Sequence, residues 1–126
     1  MQPYIYYAEV VKVIDGDTIT VNVDLGYDTW LYNQKVGLAG IDSPESRINL
    51  KRFPERTKEK ELGLEAKELV KSLCGNKVKI ISQGKGKYGR ILGIVYTLDD
   101  KNINQTLIDN DLAVEYWGGT KTKVWG

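Results

Sequence analysis

YYAEVVKVIDGDTITVNVDL, residues 6–25 of the chain, is the stretch that decides the fold. Residues 6–14 are rich in β-branched side chains and predict a strand. Residues 18–25 alternate between apolar and polar side chains, which predicts a second strand with one buried face. That face consists of Ile19, Val21, Val23 and Leu25. Between the two strands, Asp15-Gly16 is a strong turn signal, so the stretch predicts a β-hairpin.

The rest of the chain extends this hairpin into a barrel pattern. Residues 29–41 predict a third strand, residues 43–60 a long polar loop, and a helical period begins at Glu61 and stops at Gly75-Asn76. Strands at 77–82 and 90–97, a short helix at 102–110 and an extended piece at 112–114 follow. Three strands, a helix and two more strands is the order of an OB-type barrel. We therefore predict an α+β, mainly β fold, a five-stranded OB-fold barrel with two packed helices, as a single domain over residues 1–126.

Composition excludes several kinds of chemistry. The chain has 126 residues, of which 41% are hydrophobic, enough for a core that needs no disulfides. Cys74 is the only cysteine, so no internal disulfide can form. The absence of histidine removes the commonest zinc ligand and any Ser-His triad. With no signal peptide and no long apolar run, we expect a cytoplasmic protein without a membrane partner, and the oligomeric state stays open.

Charge is distributed unevenly although the net charge is only +1. The first basic run comprises Arg47, Lys51, Arg52, Arg56, Lys58 and Lys60. The second comprises Lys85, Lys87 and Arg90. One such run alone is more often a solvated surface. Two runs flanking an acidic cluster favour a nucleic-acid phosphate as the partner.

Three segments carry residues suited to phosphate chemistry. They are Asp15-Gly16-Asp17-Thr18, the stretch from Leu38 to Glu45, and Lys87-Tyr88-Gly89-Arg90. Asp17 and Asp42 are hard oxygen ligands at strand ends and suit Ca²⁺. Glu45 follows Asp42 across a proline that stiffens the turn, where it could orient or deprotonate a water. Arg90 could fork onto phosphate oxygens. Taken singly, each segment is more typical of an ordinary turn or basic loop, so the prediction depends on the three together.

The ordered set of motifs resembles the staphylococcal nuclease (thermonuclease) family. The resemblance covers about residues 8–117. It consists of Asp15 to Thr18, Leu38 to Glu45, Gly63-Leu64-Glu65-Ala66, Lys87 to Arg90, Asn104 to Leu107, and Asp111-Leu112-Ala113. Each motif is weak, and their order along the chain makes the set specific.

The resemblance implies an OB-fold barrel that hydrolyses phosphodiester bonds in DNA and RNA with Ca²⁺. It implies that Asp17, Asp42 and the Ser43 carbonyl bind the metal, that Glu45 activates water, and that Arg90 clamps phosphate. Lys87, Tyr88, Tyr116 and Trp117 would form the wall that holds a nucleotide. Aromatic side chains suit that role because single-stranded bases stack on them.

Two departures from the family pattern change these expectations. The family's other phosphate-clamping arginine falls at Gly37, and losing such a donor should lower the rate by roughly 10²- to 10⁵-fold. Lys35, on the same strand face, is a hypothetical substitute, as are Arg47 and Arg52 from the long loop. The chain also looks too short for the family's third helix, so we expect some apolar barrel surface to be bare or to be covered by the tail or by another subunit.

Three functions remain open at this point. The first is a metal-dependent nuclease that retains Asp17, Asp42, Glu45 and Arg90. The second is a catalytically degenerate module that only binds nucleic acid, which Gly37 favours. The third is a protein-interaction module, compatible with the aromatic side chains at Tyr4, Tyr6, Tyr7, Trp30 and Trp125.

Overall fold

A closed five-stranded barrel forms the centre of the protein. The computed structural model describes residues 4–86, 89–117 and 125. The barrel strands are β1 (Ile5–Asp15), β2 (Thr18–Asp24), β3 (Trp30–Leu38), β5 (Lys77–Lys85) and β6 (Ile91–Tyr96). They are arranged in the order β1-β2-β3-β6-β5, and β1 pairs with β5 to close the barrel. The β3–β6 pair is parallel and the other pairs are antiparallel.

Two α-helices pack against this barrel in the described part of the chain, α1 (Thr57–Cys74) and α2 (Ile103–Asp109). A 3₁₀ turn, Pro54–Arg56, leads into α1. Two short strands, β4 (Ile41–Asp42) and β7 (Val114–Glu115), form a separate antiparallel pair. The predicted α+β OB-type barrel with two packed helices is confirmed. Within the described ranges, no helix is long and apolar enough to span a membrane.

The core lies inside the barrel and beneath the two helices. Ile19, Val21 and Val23 of the predicted apolar face are buried, whereas Leu25, just past the end of β2, is 39% exposed. The fully buried side chains from the other elements include Val36, Val70, Val78, Val95, Ile103 and Leu107. Alternation therefore predicted the buried face of β2 correctly except at its end.

Two element boundaries differ from the prediction. Helix α1 begins at Thr57 and not at the predicted Glu61. The sequence did not indicate the first turn because that turn is polar and buries no side chain, so it leaves no apolar period to detect. The predicted strand 29–41 is interrupted after Leu38. Gly40 adopts φ +77° there, a left-handed conformation that favours glycine, and the chain turns into β4. The expectation of a missing third helix concerns residues beyond Trp117, which lie outside the described residues except for Trp125.

Asn104 fastens α2 to the barrel. Its side-chain amide donates to the carbonyls of Ala39 (2.9 Å) and Gly93 (3.3 Å), and its Oδ1 accepts from the Val95 N–H (3.1 Å). Asn104 is 5% exposed, so these bonds satisfy polar groups that would otherwise be buried without partners. This anchor fixes the turn at Ala39-Gly40, which lines one side of a cleft on the barrel.

Candidate active site

A cleft of about 460 Å³ opens on the outside of the barrel. Its polar lining comes from Asp17 in the β1–β2 turn, Gln83 on β5 and Arg90 immediately before β6. Its remaining lining includes Gly37, Leu38, Ala39, Gly40, Ile41, Leu92, Tyr116 and Trp117. The parallel pairing of Gly37 with Leu92 brings the start of β6, and with it Arg90, beside β3. Five segments of the chain therefore form one cleft.

Asp17 connects this cleft to the loop that follows β4. The Asp17 carboxylate accepts hydrogen bonds from the Ser43 N–H (3.2 Å) and the Thr18 hydroxyl (3.2 Å). The Asp17 carbonyl accepts from the Leu38 N–H (2.9 Å), which fixes the turn against β3. Asp42, on β4, precedes Ser43 and is 8% exposed. The structure therefore joins the predicted residues Asp17 and Ser43 by a hydrogen bond, whereas Asp42 adjoins Ser43 along the chain and is not among the residues that line the cleft.

Hard oxygen atoms dominate this part of the site, and their chemistry fits a cation such as Ca²⁺. The buried Ser43 Oγ has no hydrogen-bond partner in the described structure, so a polar group is available there. The described residues contain no group of three His, Cys, Asp or Glu side chains placed to hold a metal ion. A cation bound here would therefore take several of its oxygens from water, main-chain carbonyls or phosphate.

Arg90 lies across Gly37. A Cβ on Gly37 would stand 3.2 Å from the Arg90 Cδ and 3.3 Å from the Leu92 Cδ2. The Arg90 side chain thus closely covers position 37, at which the resemblance places a second arginine.

The three hypothetical substitutes for that arginine are not among the residues that line the cleft in the described structure. Lys35 is exposed on β3 and pairs with Thr20. Arg47 forms an ion pair with Asp15 (3.3 Å), and the Arg52 guanidinium stands 5.3 Å from the centre of the Phe53 ring.

The aromatic wall is built by the residues after β7. The Tyr116 N–H donates to the Gly40 carbonyl (2.9 Å), which holds this segment against the turn. The Trp117 indole lies so close to Gly40 that a Cβ there would overlap the ring, yet Trp117 remains 72% exposed. An exposed, fixed indole at the edge of a cleft is a suitable stacking surface for a base. Lys87 and Tyr88, also predicted for this wall, lie outside the described residues.

Glu45 is exposed beside the start of α1 and is not among the cleft-lining residues. Its carboxylate accepts a hydrogen bond from Arg56 Nη2 (3.4 Å), and its N–H donates to Glu59 Oε2 (3.3 Å). The pKa of Arg56 is raised, chiefly by its hydrogen bond to Glu59, with smaller contributions from the charges of Glu59 and Glu45. Sequence reasoning placed Arg56 only in a basic run. The i, i+3 spacing of Arg56 and Glu59 at a helix start is the signal that could have paired them.

Asp15 holds the loop that follows β4 through hydrogen bonds to Ser46, a role that the turn prediction did not include. Its carboxylate accepts hydrogen bonds from the Ser46 hydroxyl (2.5 Å) and the Ser46 N–H (3.2 Å). Asp15 is 9% exposed, so these bonds are shielded from water. The Asp-Gly-Asp sequence therefore has two roles, because Asp15 holds the loop after Glu45 while Asp17 faces the cleft.

Comparison with known proteins assigns the family. Residues 35–123 match the family model described as staphylococcal nuclease homologue. The chain is 31% identical over 116 residues to Endonuclease YhcR of Bacillus subtilis, covering 89% of this chain and 9% of that protein. It is 33% identical to an "Uncharacterized endonuclease" of Escherichia coli, covering 87% of this chain and 61% of that protein. It is 29% identical to Micrococcal nuclease of Shigella flexneri, covering 88% and 59%.

The chain thus spans about three fifths of the length of two of these relatives and about a tenth of the third. The family match extends over most of the chain and includes the end of β3, the Asp42–Glu45 loop, Arg90 and Trp117. The chain therefore belongs to the staphylococcal nuclease homologue family.

Proposed function

We propose that the chain is a Ca²⁺-dependent nuclease that hydrolyses phosphodiester bonds in DNA or RNA. The observation that carries this proposal is the cleft that Asp17 and Arg90 both line, in which the Asp17 carboxylate accepts a hydrogen bond from Ser43, the residue after Asp42. Relatives named as endonucleases and a micrococcal nuclease support the same reaction class. Asp17, Asp42 and the Ser43 carbonyl would hold Ca²⁺, which when bound polarises a phosphoryl oxygen and neutralises developing charge.

The remaining steps use the chain's own groups. Arg90 binds the phosphate oxygens through its guanidinium and stabilises the charge that builds up on them. Glu45 orients a water molecule for in-line attack on phosphorus and accepts its proton. The water oxygen forms a new P–O bond while the opposite ester P–O bond breaks, and the leaving oxygen takes a proton from solvent. Trp117 and Tyr116 hold a neighbouring base by stacking, which favours single-stranded substrates. We extend the same proposal to Lys87, Tyr88 and Lys35 as further substrate contacts.

The second candidate function is binding of nucleic acid without cleavage. Gly37 favours it, because the cleft has Arg90 but no arginine at position 37. Binding would then be largely electrostatic and would weaken steeply with added salt.

The deciding experiment is the release of acid-soluble nucleotide from single-stranded DNA, with Ca²⁺ and with a chelator. We expect Ca²⁺-dependent release that falls at least about 100-fold in Asp42→Asn and in Glu45→Gln. Asp28→Asn is the matched control, because Asp28 is exposed in the β2–β3 turn and its φ of +58° suits asparagine. No release by the wild type, together with salt-sensitive DNA binding, would replace the nuclease by the binding module.

A further inference from the structure

Arg56 is held firmly at the start of α1, and the proposed mechanism does not use it. Its Nη2 lies 3.0 Å from each carboxylate oxygen of Glu59, and its Nε lies 3.1 Å from Glu59 Oε1. The Glu59 side chain is only 16% exposed, so this forked pair is partly shielded from solvent. The Arg56 guanidinium, from the 3₁₀ turn that precedes α1, is therefore held against the first turn of that helix, and it is not a freely moving surface group.

The main chain of Glu45 is held against the same turn. Its N–H donates to Glu59 Oε2, and its carbonyl lies against Gly63, where a Cβ would overlap the carbonyl oxygen. The Glu45 side chain is by contrast 63% exposed, and within the described residues its one hydrogen-bond partner is Arg56, at 3.4 Å. The structure thus fixes where the Glu45 side chain starts, and a single contact restrains where its carboxylate points.

We infer that Arg56 is a positioning residue that orients the Glu45 carboxylate for reaction, an inference that rests on the proposed nuclease function. Glu45 and Glu59 are like charges held close together, and the guanidinium between them cancels their repulsion. Without Arg56, the repulsion from Glu59 drives the exposed Glu45 side chain away while its main chain stays in place. Arg56 therefore acts on the reaction through Glu45 and touches no reacting atom.

The competing explanation is that Arg56 only stabilises the loop, as many partly exposed ion pairs contribute little beyond that. The two explanations differ in what happens when Glu45 can no longer accept a proton. If Arg56 only positions Glu45, removing Arg56 causes no further loss of rate once Glu45 is inactive. If Arg56 has a structural role, removing it lowers the rate in that background as well.

The test is a double-mutant cycle on the Ca²⁺-dependent cleavage of single-stranded DNA. We expect Arg56→Ala to lower kcat about 10-fold or more while KM stays unchanged, because the substrate contacts are intact. Arg56→Lys should recover part of the loss, since it keeps the charge without the fork. In the Glu45→Gln background, Arg56→Ala should cause no further loss. Arg56→Gln repeats the cycle if Arg56→Ala is unfolded at the assay temperature.

Lys58→Ala is the matched control, because Lys58 pairs with Glu61 on the same helix turn without touching Glu45. It should leave kcat unchanged. Equal losses from Arg56→Ala in both backgrounds, a rise in KM in place of a fall in kcat, or no loss at all would each overturn the inference. If the Glu45→Gln rate is too low to measure, the effects of Arg56→Ala on kcat and on KM in the wild-type background decide between the two explanations. A wild type without Ca²⁺-dependent cleavage would reject the proposed function itself, and the inference with it.

Discussion

Gly37 is the single residue at which the site departs most from the pattern that its family resemblance implies. It lies on β3 beneath Arg90, and a side chain there would come within 3.2–3.3 Å of Arg90 and Leu92. These neighbours are side-chain atoms and not backbone, so a shift of a few tenths of an ångström would admit a Cβ. Among the described residues that line the cleft, Arg90 supplies the one guanidinium, and position 37 admits a Cβ if the Arg90 and Leu92 side chains shift slightly.

Gly37→Arg should raise the Ca²⁺-dependent cleavage rate by roughly 10- to 100-fold, because a second fork would stabilise transition-state charge. The measurement is kcat/KM on single-stranded DNA. Gly37→Ala is the control, since it adds the Cβ and its crowding without the charge, and it should not raise the rate. Equal rates for the two variants would show that position 37 does not reach the reacting phosphate.

Helix α1 is the element that supports both halves of the site. Its buried residues Gly63, Ala66, Val70 and Cys74 follow helical spacing and lie on one face. Gly63 receives the Glu45 main chain, and Ala66 faces the β1–β2 turn, where a Cβ on Gly16 would stand 2.7 Å from the Ala66 Cβ. The Gly-x-x-Ala spacing is therefore explained by packing, because two small residues one turn apart admit the two loops.

Gly63→Ala should destabilise the protein by about 1–3 kcal/mol despite the better helix propensity of alanine, which favours the helix by about 1 kcal/mol. The new Cβ would overlap the Glu45 carbonyl, and backbone cannot move aside as a side chain can. Denaturant unfolding measures the loss, and the cleavage rate should fall with it. Glu65→Ala, on the exposed face of the same helix, is the control and should change stability by no more than about 0.5 kcal/mol. An unchanged denaturant midpoint of unfolding for Gly63→Ala would contradict the close packing of Gly63 against the Glu45 carbonyl.

At the scale of the whole molecule, closure of the barrel brings Asp17, Arg90 and Trp117 to one cleft and buries the inner face of α1. Cys74, at the end of that helix, is 4% exposed. Burial raises the pKa of its thiol from 9.0 to about 12, because the thiolate would lose its hydration. The thiol is thus a small core side chain and not a reactive group.

This pKa makes stability depend on alkaline pH. Above pH 9.0 the unfolded chain loses the Cys74 proton while the folded protein keeps it up to about pH 12. The stability that the protonated Cys74 thiol contributes is therefore fully present below pH 9.0 and is lost as pH rises towards 12. Between pH 8 and 10.5 the free energy of unfolding of the wild type should fall by about 1–2 kcal/mol more than that of Cys74→Ala, as measured by urea unfolding. Parallel losses in the two proteins would show that the thiol titrates normally.

The sequence by itself determined the barrel fold and the order of its elements along the chain. Of the residues it named for the site, those that line the cleft in the described structure are Asp17, Arg90, Tyr116 and Trp117. Alternation in residues 18–25 predicted the inner face of β2, and the helical period from residue 61 onward predicted α1, because burial of one face leaves a regular pattern. The family resemblance of the ordered motifs, and not a local period, named Asp17, Asp42, Ser43 and Glu45 as one group. Local patterns suffice for the strand and the helix, since each depends on neighbours close in sequence.

Only the tertiary structure decided how the site residues are held. The contact of Arg56 with Glu45 joins residues 11 positions apart, and that of Asp15 with Ser46 joins residues 31 positions apart. Neither contact follows from a local period. The polar first turn of α1 was likewise invisible, because it buries no side chain. Ion pairs and close approaches of main chain depend on where loops meet in space, and closure of the barrel determines that arrangement.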